Sequence, residues 1–211
     1  MSFEVYDFRQ DKDIRNLLVT PQIRARFARM EPGEEAGYHS HDLGHEVFLV
    51  LQGRALFTID GDEKELGPGE MCVALVDQVH KVRAVGDEPM VMYLSVTPHM
   101  QPTHTSRSET GERHPHHFPP SSSYDVVADP ATSVESLIDR HLAATEAAGE
   151  AAQASAQVQR HQSTQLRAAL AAGDKDAAHR AGLAMAAAHD RTMRLLYEMA
   201  DTWNDLAPHA G

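Results

Sequence analysis

The chain is poor in cysteine, in aromatic residues and in positive charge. Its 211 residues include one cysteine, Cys72. An internal disulfide and a Cys-based metal cluster both need more than one thiol, so both are excluded. Cys72 lies in the apolar run Met71-Cys72-Val73-Ala74-Leu75-Val76, where a buried, inert thiol is expected. Lys and Arg number 19 against 31 Asp and Glu, a net charge of −12. An acidic surface without a basic stripe gives no purchase on a phosphate backbone, so nucleic acid is not an expected partner. No apolar run approaches the roughly 18 residues of a membrane-spanning helix. Met1-Ser2-Phe3-Glu4 has no charged segment leading into an apolar one, as a secretory leader would. The expectation is a soluble, cytoplasmic protein with no membrane partner.

The order of apolar and turn residues divides the chain into three parts. In residues 1–98, strand-like pieces (Phe3–Phe8, Leu17–Thr20, Ile23–Met30) are followed by Arg54–Ile59, Val73–Val76, Val79–Val85 and Met90–Thr97. The charged run Arg9-Gln10-Asp11-Lys12-Asp13 interrupts the first pieces. Glu31-Pro32-Gly33, Asp60-Gly61-Asp62 and Gly67-Pro68-Gly69 read as turns, the second of the Asp-Gly hairpin type. Short strands at near-regular spacing predict an all-β sandwich or barrel. Residues 99–131 are rich in Pro, Ser and His and read as a linker or extended arm. Phe118 and its neighbours are placed across the barrel mouth or a partner subunit. His114, His116 and His117 form a His-rich tract that Pro115 deprives of a regular scaffold.

Residues 132–211 turn to Ala-rich helix formers. Thr132 or Ser133 can cap a first helix, which Gly149 interrupts. Gly173-Asp174 reads as a C-cap followed at once by an N-cap, the mark of a tight helical hairpin. Ala178, Ala181, Met185, Ala188, Thr192, Leu195 and Met199 step by three and four along a second helix. Such a helix, roughly 50 Å long at ~1.5 Å per residue, cannot bury that face alone. A hairpin that helps the protein form a homodimer is expected. His141, His161, His179 and His189 are scattered without the Glu-x-x-His spacing of a bundle metal site and read as solvent-facing.

The chemistry concentrates between Gly33 and Gly53. His39, His41 and Glu46 fall within eight residues, with His45 beside the last. His39 and His41 are two apart, so on a strand both imidazoles leave one face. Glu46 opens the apolar run Glu46-Val47-Phe48-Leu49-Val50-Leu51, a core strand that starts at the carboxylate. Two imidazoles and a carboxylate on adjacent strands suit a divalent transition metal. The intervals Gly33, His39, His41, Glu46, Gly53 resemble the first motif of the cupin family, G-x5-H-x-H-x4-E-x6-G.

The resemblance covers roughly residues 20 to 98. It implies a double-sheet jelly roll, a quercetinase-like cupin barrel with the metal inside one end; with the α-helical hairpin read from the C-terminal residues, the expected fold is mainly β followed by that hairpin. It also implies a fourth ligand from a second motif, and His80 stands where that His would. The usual Pro, Gly and Asn around it are Leu75, Asp77 and Ala84 here.

His39, His41, Glu46 and His80 are thus the expected ligands of one divalent metal (Fe, Mn, Ni, Zn or Cu), with Glu46 preferred to His45 from the motif interval. Glu46 is also a candidate proton acceptor. Tyr38, Gln78, Tyr93 and Arg26 are candidate substrate-binding residues. Two functions follow. One is a small metalloenzyme of dioxygenase type acting on an aromatic or enolic substrate. The other is a non-catalytic barrel that binds or senses a small molecule and dimerises through its helical tail.

Overall fold

A computed structural model describes residues 3–10 and 15–211. Asp11, Lys12 and Asp13 of the expected charged run lie outside the described residues. The described residues up to Asp129, with Ala207–Gly211, form one compact unit, and Pro130–Leu206 form a second.

The first unit contains ten strands: β1 Arg15–Thr20, β2 Ile23–Met30, β3 Glu35–Ser40, β4 His45–Gln52, β5 Arg54–Ile59, β6 Asp62–Leu66, β7 Met71–Ala74, β8 His80–Val85, β9 Met90–Thr97 and β10 Thr105–Ser106. They make two five-stranded antiparallel sheets, in the orders β1-β2-β9-β4-β7 and β10-β3-β8-β5-β6. This is the expected double-sheet jelly roll. Alternation along each strand sends one set of side chains between the sheets. Phe48 and Val50 of β4, Phe57 of β5, Val82 of β8, and Met92 and Leu94 of β9 meet there in the core.

The turns follow local chemistry. Asp60 and Gly61 both have positive φ, 48° and 86°, which matches the twist that a two-residue hairpin between β5 and β6 requires. The motif glycines Gly33 and Gly53 also have positive φ. At Gly53 the backbone is crowded as well, because a Cβ there would lie 2.6 Å from the Pro89 carbonyl oxygen.

Three expected element boundaries need correction. Phe3–Asp7 has no regular structure and Phe8 begins a turn; these residues form no strand, and Phe8 instead places its ring edge-on to Phe27. The seventh strand is Met71–Ala74 rather than Val73–Val76, because Leu75 and Val76 lead into the turn closed by Gln78 N–H donating to the Leu75 carbonyl. The first helix also runs through Gly149 without a break. A glycine inside a helix costs about 1 kcal/mol, which packing along a long helix outweighs.

Helix α1 spans Val134–Ala172 and α2 spans Lys175–Leu206. Ser133 caps α1 by accepting from Ser136 N–H. Gly173 closes α1 at φ 70°, and Asp174 Oδ1 accepts from Ala177 N–H. The hairpin is as the sequence indicates. Every residue of the three-and-four stripe on α2 is buried or half-buried. Across the seam Gln159 Nε2 donates to the Met185 carbonyl, and the Thr192 hydroxyl reaches the Ala151 carbonyl. His161, His179 and His189 are exposed. His141 is not solvent-facing: its Nδ1 lies 3.1 Å from Thr202 Oγ1 and its ring lies against Trp203. Among the described residues no helix is long and apolar enough to cross a membrane.

Two glycines separate strain from propensity. Gly53→Ala is expected to destabilise the barrel by on the order of 3 kcal/mol, from positive φ and the clash together. Gly149→Ala, with open space around its Cβ position, should stabilise the hairpin by about 0.5–1 kcal/mol. Urea unfolding followed by circular dichroism reads both.

Candidate metal centre

The site is assembled from three strands and one returning loop. Glu46 is the second residue of β4 and faces the core with Phe48 and Val50, so its carboxylate is only 2% exposed. His80 opens β8, opposite His39 of β3. Between Ala36 and His39 the β3–β8 register slips by one residue. This bulge reverses the alternation, so Ala36 and His39, an odd interval apart, both face inward. His41 follows the end of β3 and is buried.

The four side chains converge. Nε2 of His41 lies 2.8 Å from Glu46 Oε2, that of His80 3.0 Å and that of His39 3.7 Å. One ligand atom from each of the four fits within 4.8 Å of the others. His45, on the opposite face of β4, is exposed and accepts from Val76 N–H through Nδ1.

The far nitrogen of each ring is already committed. Nδ1 of His39 lies 2.9 Å from the Gly37 carbonyl oxygen, that of His80 2.9 Å from that of Gln78, and that of His41 2.5 Å from that of Thr103. A carbonyl oxygen only accepts, so each Nδ1 carries the proton and donates. In the neutral ring Nε2 then offers a lone pair to the centre. Lone pairs facing a carboxylate repel unless a cation or extra protons lie between them. A divalent metal satisfies all four groups at once, and carbonyls that orient the ring are the usual support of a metal-binding histidine. The donor set fits a transition metal. Where extra protons take the place of the metal, each Nε2–H donates to Glu46; burial raises the carboxyl, but the hydrogen bonds from His39, His41 and His80 then outweigh it and hold the group well below the usual carboxylate range.

The segment after β9 completes the site. Thr103 supplies the carbonyl that orients His41, and Thr105 and Ser106 pair with Ser40 and His39 to extend the sheet as β10. Asp42 fastens this return: the Thr105 hydroxyl donates to it, and Arg107 and Arg113 lie 3.6 and 3.2 Å from its carboxylate. His104 brings its ring within 5.0 Å of His39 and 4.8 Å of His41. Burial, with His39 and Arg24 nearby, pushes its imidazole well below the ordinary value, so it is neutral. Further along the arm, His117 and Pro119 line a second cavity of about 210 Å³ with His104 and Tyr124.

A cavity of about 610 Å³ opens beside the cluster. Its apolar wall is Phe48, Val82, Met92 and Leu94, and its polar wall includes His39, Glu46 and His104. Of the expected substrate-binding residues, Tyr38 and Arg26 line it. Gln78 is placed elsewhere: its side chain bridges Leu75 N–H and Asp60 at the turn, and its carbonyl serves His80. Tyr93 faces away from the interior, since it alternates with the inward Met92 and Leu94 on β9. Arg24 and His104 escaped the sequence reading. Arg24 shares the parity of Arg26 on β2, a signal that was there to use; His104 sits 63 residues beyond His41, where no local pattern points to the site. Cys72 packs half-buried against the core, and burial pushes its thiol up to about 11, which leaves it inert.

Comparison with known proteins adds the following. The family described as Cupin domain matches residues 26–97. The chain is similar to polyketide synthase CurC of Streptomyces cyaneus, 31% identical over 91 residues, which cover 41% of this chain and 59% of that one. The chain therefore spans about three-fifths of that relative's length. Among solved structures it resembles KdgF from Halomonas sp., at 23% identity and TM-score 0.38 over 41% of this chain and 79% of that one. It also resembles a conserved protein with a double-stranded β-helix domain from Klebsiella pneumoniae, at 22% identity and TM-score 0.41 over 46% and 91%.

His99, 1% exposed on the loop behind His41, gives a pH test. Burial, then Arg24 and His41, lower its imidazole to about 4, against about 6.5 in an unfolded chain. Between those values the unfolded state binds the extra proton. Stability from this group is therefore complete above about pH 6.5 and is lost as pH falls towards 4, by on the order of 3 kcal/mol. Urea unfolding at pH 7.5 and 4.5 should show the loss, and His99→Gln should flatten it.

Proposed function

We propose that the protein, whose residues 26–97 match the family described as Cupin domain, is a metal-dependent enzyme of dioxygenase type that acts on a small organic substrate. The observation that carries this reading is the convergence of three imidazoles on the buried Glu46 carboxylate at the wall of a cavity of about 610 Å³. His39, His41, Glu46 and His80 would hold one divalent metal, with Fe, Mn or Ni suiting dioxygenase chemistry and Zn or Cu admissible to the same donors. Such a metal would supply Lewis acidity and open coordination positions.

The protein's own groups do the rest. Backbone carbonyls at Gly37, Gln78 and Thr103 keep the rings aimed. Phe48, Met92 and Leu94 exclude water and accept an apolar substrate body. Glu46, ionised, is placed to accept a proton from an enol or phenol entering beside His39. The neutral His104 ring offers a further hydrogen bond at the same wall. The name of the Streptomyces relative, a polyketide synthase, agrees with an aromatic or enolic substrate.

A second reading is a ligand-binding or regulatory barrel dimerised by its helices. Ile138, Leu142, Leu183, Met193 and Leu196 remain exposed on the hairpin, which favours assembly through that element. Oxygen uptake with enolic or aromatic candidates separates the two readings, since a pure binder shows saturable binding without turnover.

The first test is elemental analysis of protein purified without added metal. Roughly one equivalent per chain is expected, absent from the His39→Ala/His41→Ala variant. His80→Ala should lose most of the metal and His45→Ala little. Equal losses in these last two would sink the ligand assignment.

A further inference from the structure

Of the five β2 residues that line the cavity, Arg24, Arg26, Ala28 and Met30 follow the strand period of two, and Arg29 is the fifth. The partners of the first four on β9 are Val96, Leu94, Met92 and Met90. Two guanidinium groups therefore stand among the apolar residues of β2 and β9 that face the cavity. Arg24 is 2% exposed, and the Nε atoms of both Arg24 and Arg26 are buried without a hydrogen-bond partner. A buried donor left unsatisfied is costly, and more so when charged. Arg29, the next arginine on the strand, is different because it reaches Glu31 at 2.7 Å.

Among the described residues, each carboxylate of the cavity wall is engaged elsewhere. Glu34 accepts from Glu31 N–H, and Glu35 pairs with Lys81. Glu46 is the buried acid of that wall, and its charge is already shared by three imidazoles. Tyr124 lies against the Arg24 guanidinium, 5.2 Å from ring centre to carbon. Burial, with Arg24 beside it, lowers Arg26 to about 10, which leaves it cationic. A metal dication would make the cavity more positive still. Glu46 attracts both guanidinium groups, but their Nε donors remain unmet, and two such cations among apolar neighbours describe half of an ion pair.

We propose that Arg24 and Arg26 form an anion-binding wall that selects a substrate bearing a carboxylate. Its organic body lies on Phe48, Met92 and Leu94, and its other oxygen functions face His39 and Glu46. A planar two-oxygen anion matches the guanidinium fork, and the apolar wall suits an organic acid better than a free inorganic anion. The inference rests on the reading of this cavity as the substrate's site.

The test is calorimetric titration of the full chain with benzoate and salicylate, and with their neutral analogues benzamide and salicylamide. Metal content is measured on the same samples. The acids should bind at least about tenfold more tightly than the amides. Arg26→Gln should lower acid affinity by about tenfold while amide binding and metal content stay unchanged, and Arg26→Lys should keep part of the preference. Absence of acid binding, equal binding of acids and amides, or an Arg26→Gln protein that binds acids as the wild type does would each overturn the inference. Inorganic phosphate binding more tightly than both acids would overturn the carboxylate assignment. The wild-type comparison of acid with amide stands even if the variant fails to fold. A preference for acids in protein that takes up no metal supports the anion wall and defeats the metalloenzyme reading. Full metal content without that preference does the reverse.

Discussion

A carboxylate with almost no access to water governs this protein's first unit. Glu46 sits on the inner face of β4 in register with Phe48 and Val50, where a charge left alone would be expelled or neutralised. Three imidazoles surround it, reaching it from β3, from the loop directly after β3 and from β8. β3 must bulge to bring His39 inward, β8 must begin at His80, and the loop after β3 must be pulled in to place His41. The architecture at this end of the barrel follows from meeting that one electrostatic demand.

The demand extends outward through hydrogen bonds. The three imidazoles are aimed by carbonyls from Gly37, Gln78 and Thr103, and the last belongs to the segment that follows the barrel proper. Asp42 ties that segment down through Thr105, Arg107 and Arg113. A stretch whose composition reads as a linker therefore supplies β10, the brace for His41 and the His104 wall. The two arginines of β2, with buried and unpartnered Nε donors, add positive charge to the same interior. A metal would satisfy the first demand, and an organic anion, on the proposal made for this cavity, would satisfy the second.

The helical hairpin obeys a simpler physics. Its stripe of small residues on α2 meets α1 through backbone and hydroxyl contacts at Thr192 and Gln159, which close approach between Ala-rich surfaces permits. Caps at Ser133, Gly173 and Asp174 set its ends. These devices are local, and each was legible in order along the chain.

What the sequence determined by itself is what depends on near neighbours: the strand alternation, the Asp-Gly hairpin, the helix caps, the three-and-four stripe, and the spacing of His39, His41 and Glu46. Even there Phe3–Phe8 looked like a strand, since an apolar alternation does not say whether a partner edge is available. Tertiary structure decided the rest. It chose the bulge that turns His39 inward, sent Gln78 to a turn and Tyr93 to the outer face, and brought in Arg24 and His104. Those outcomes rest on pairing between segments tens of residues apart, and a one-residue slip in such pairing exchanges the two faces of a strand. No local pattern encodes that slip, because it is settled by which distant backbone lies alongside.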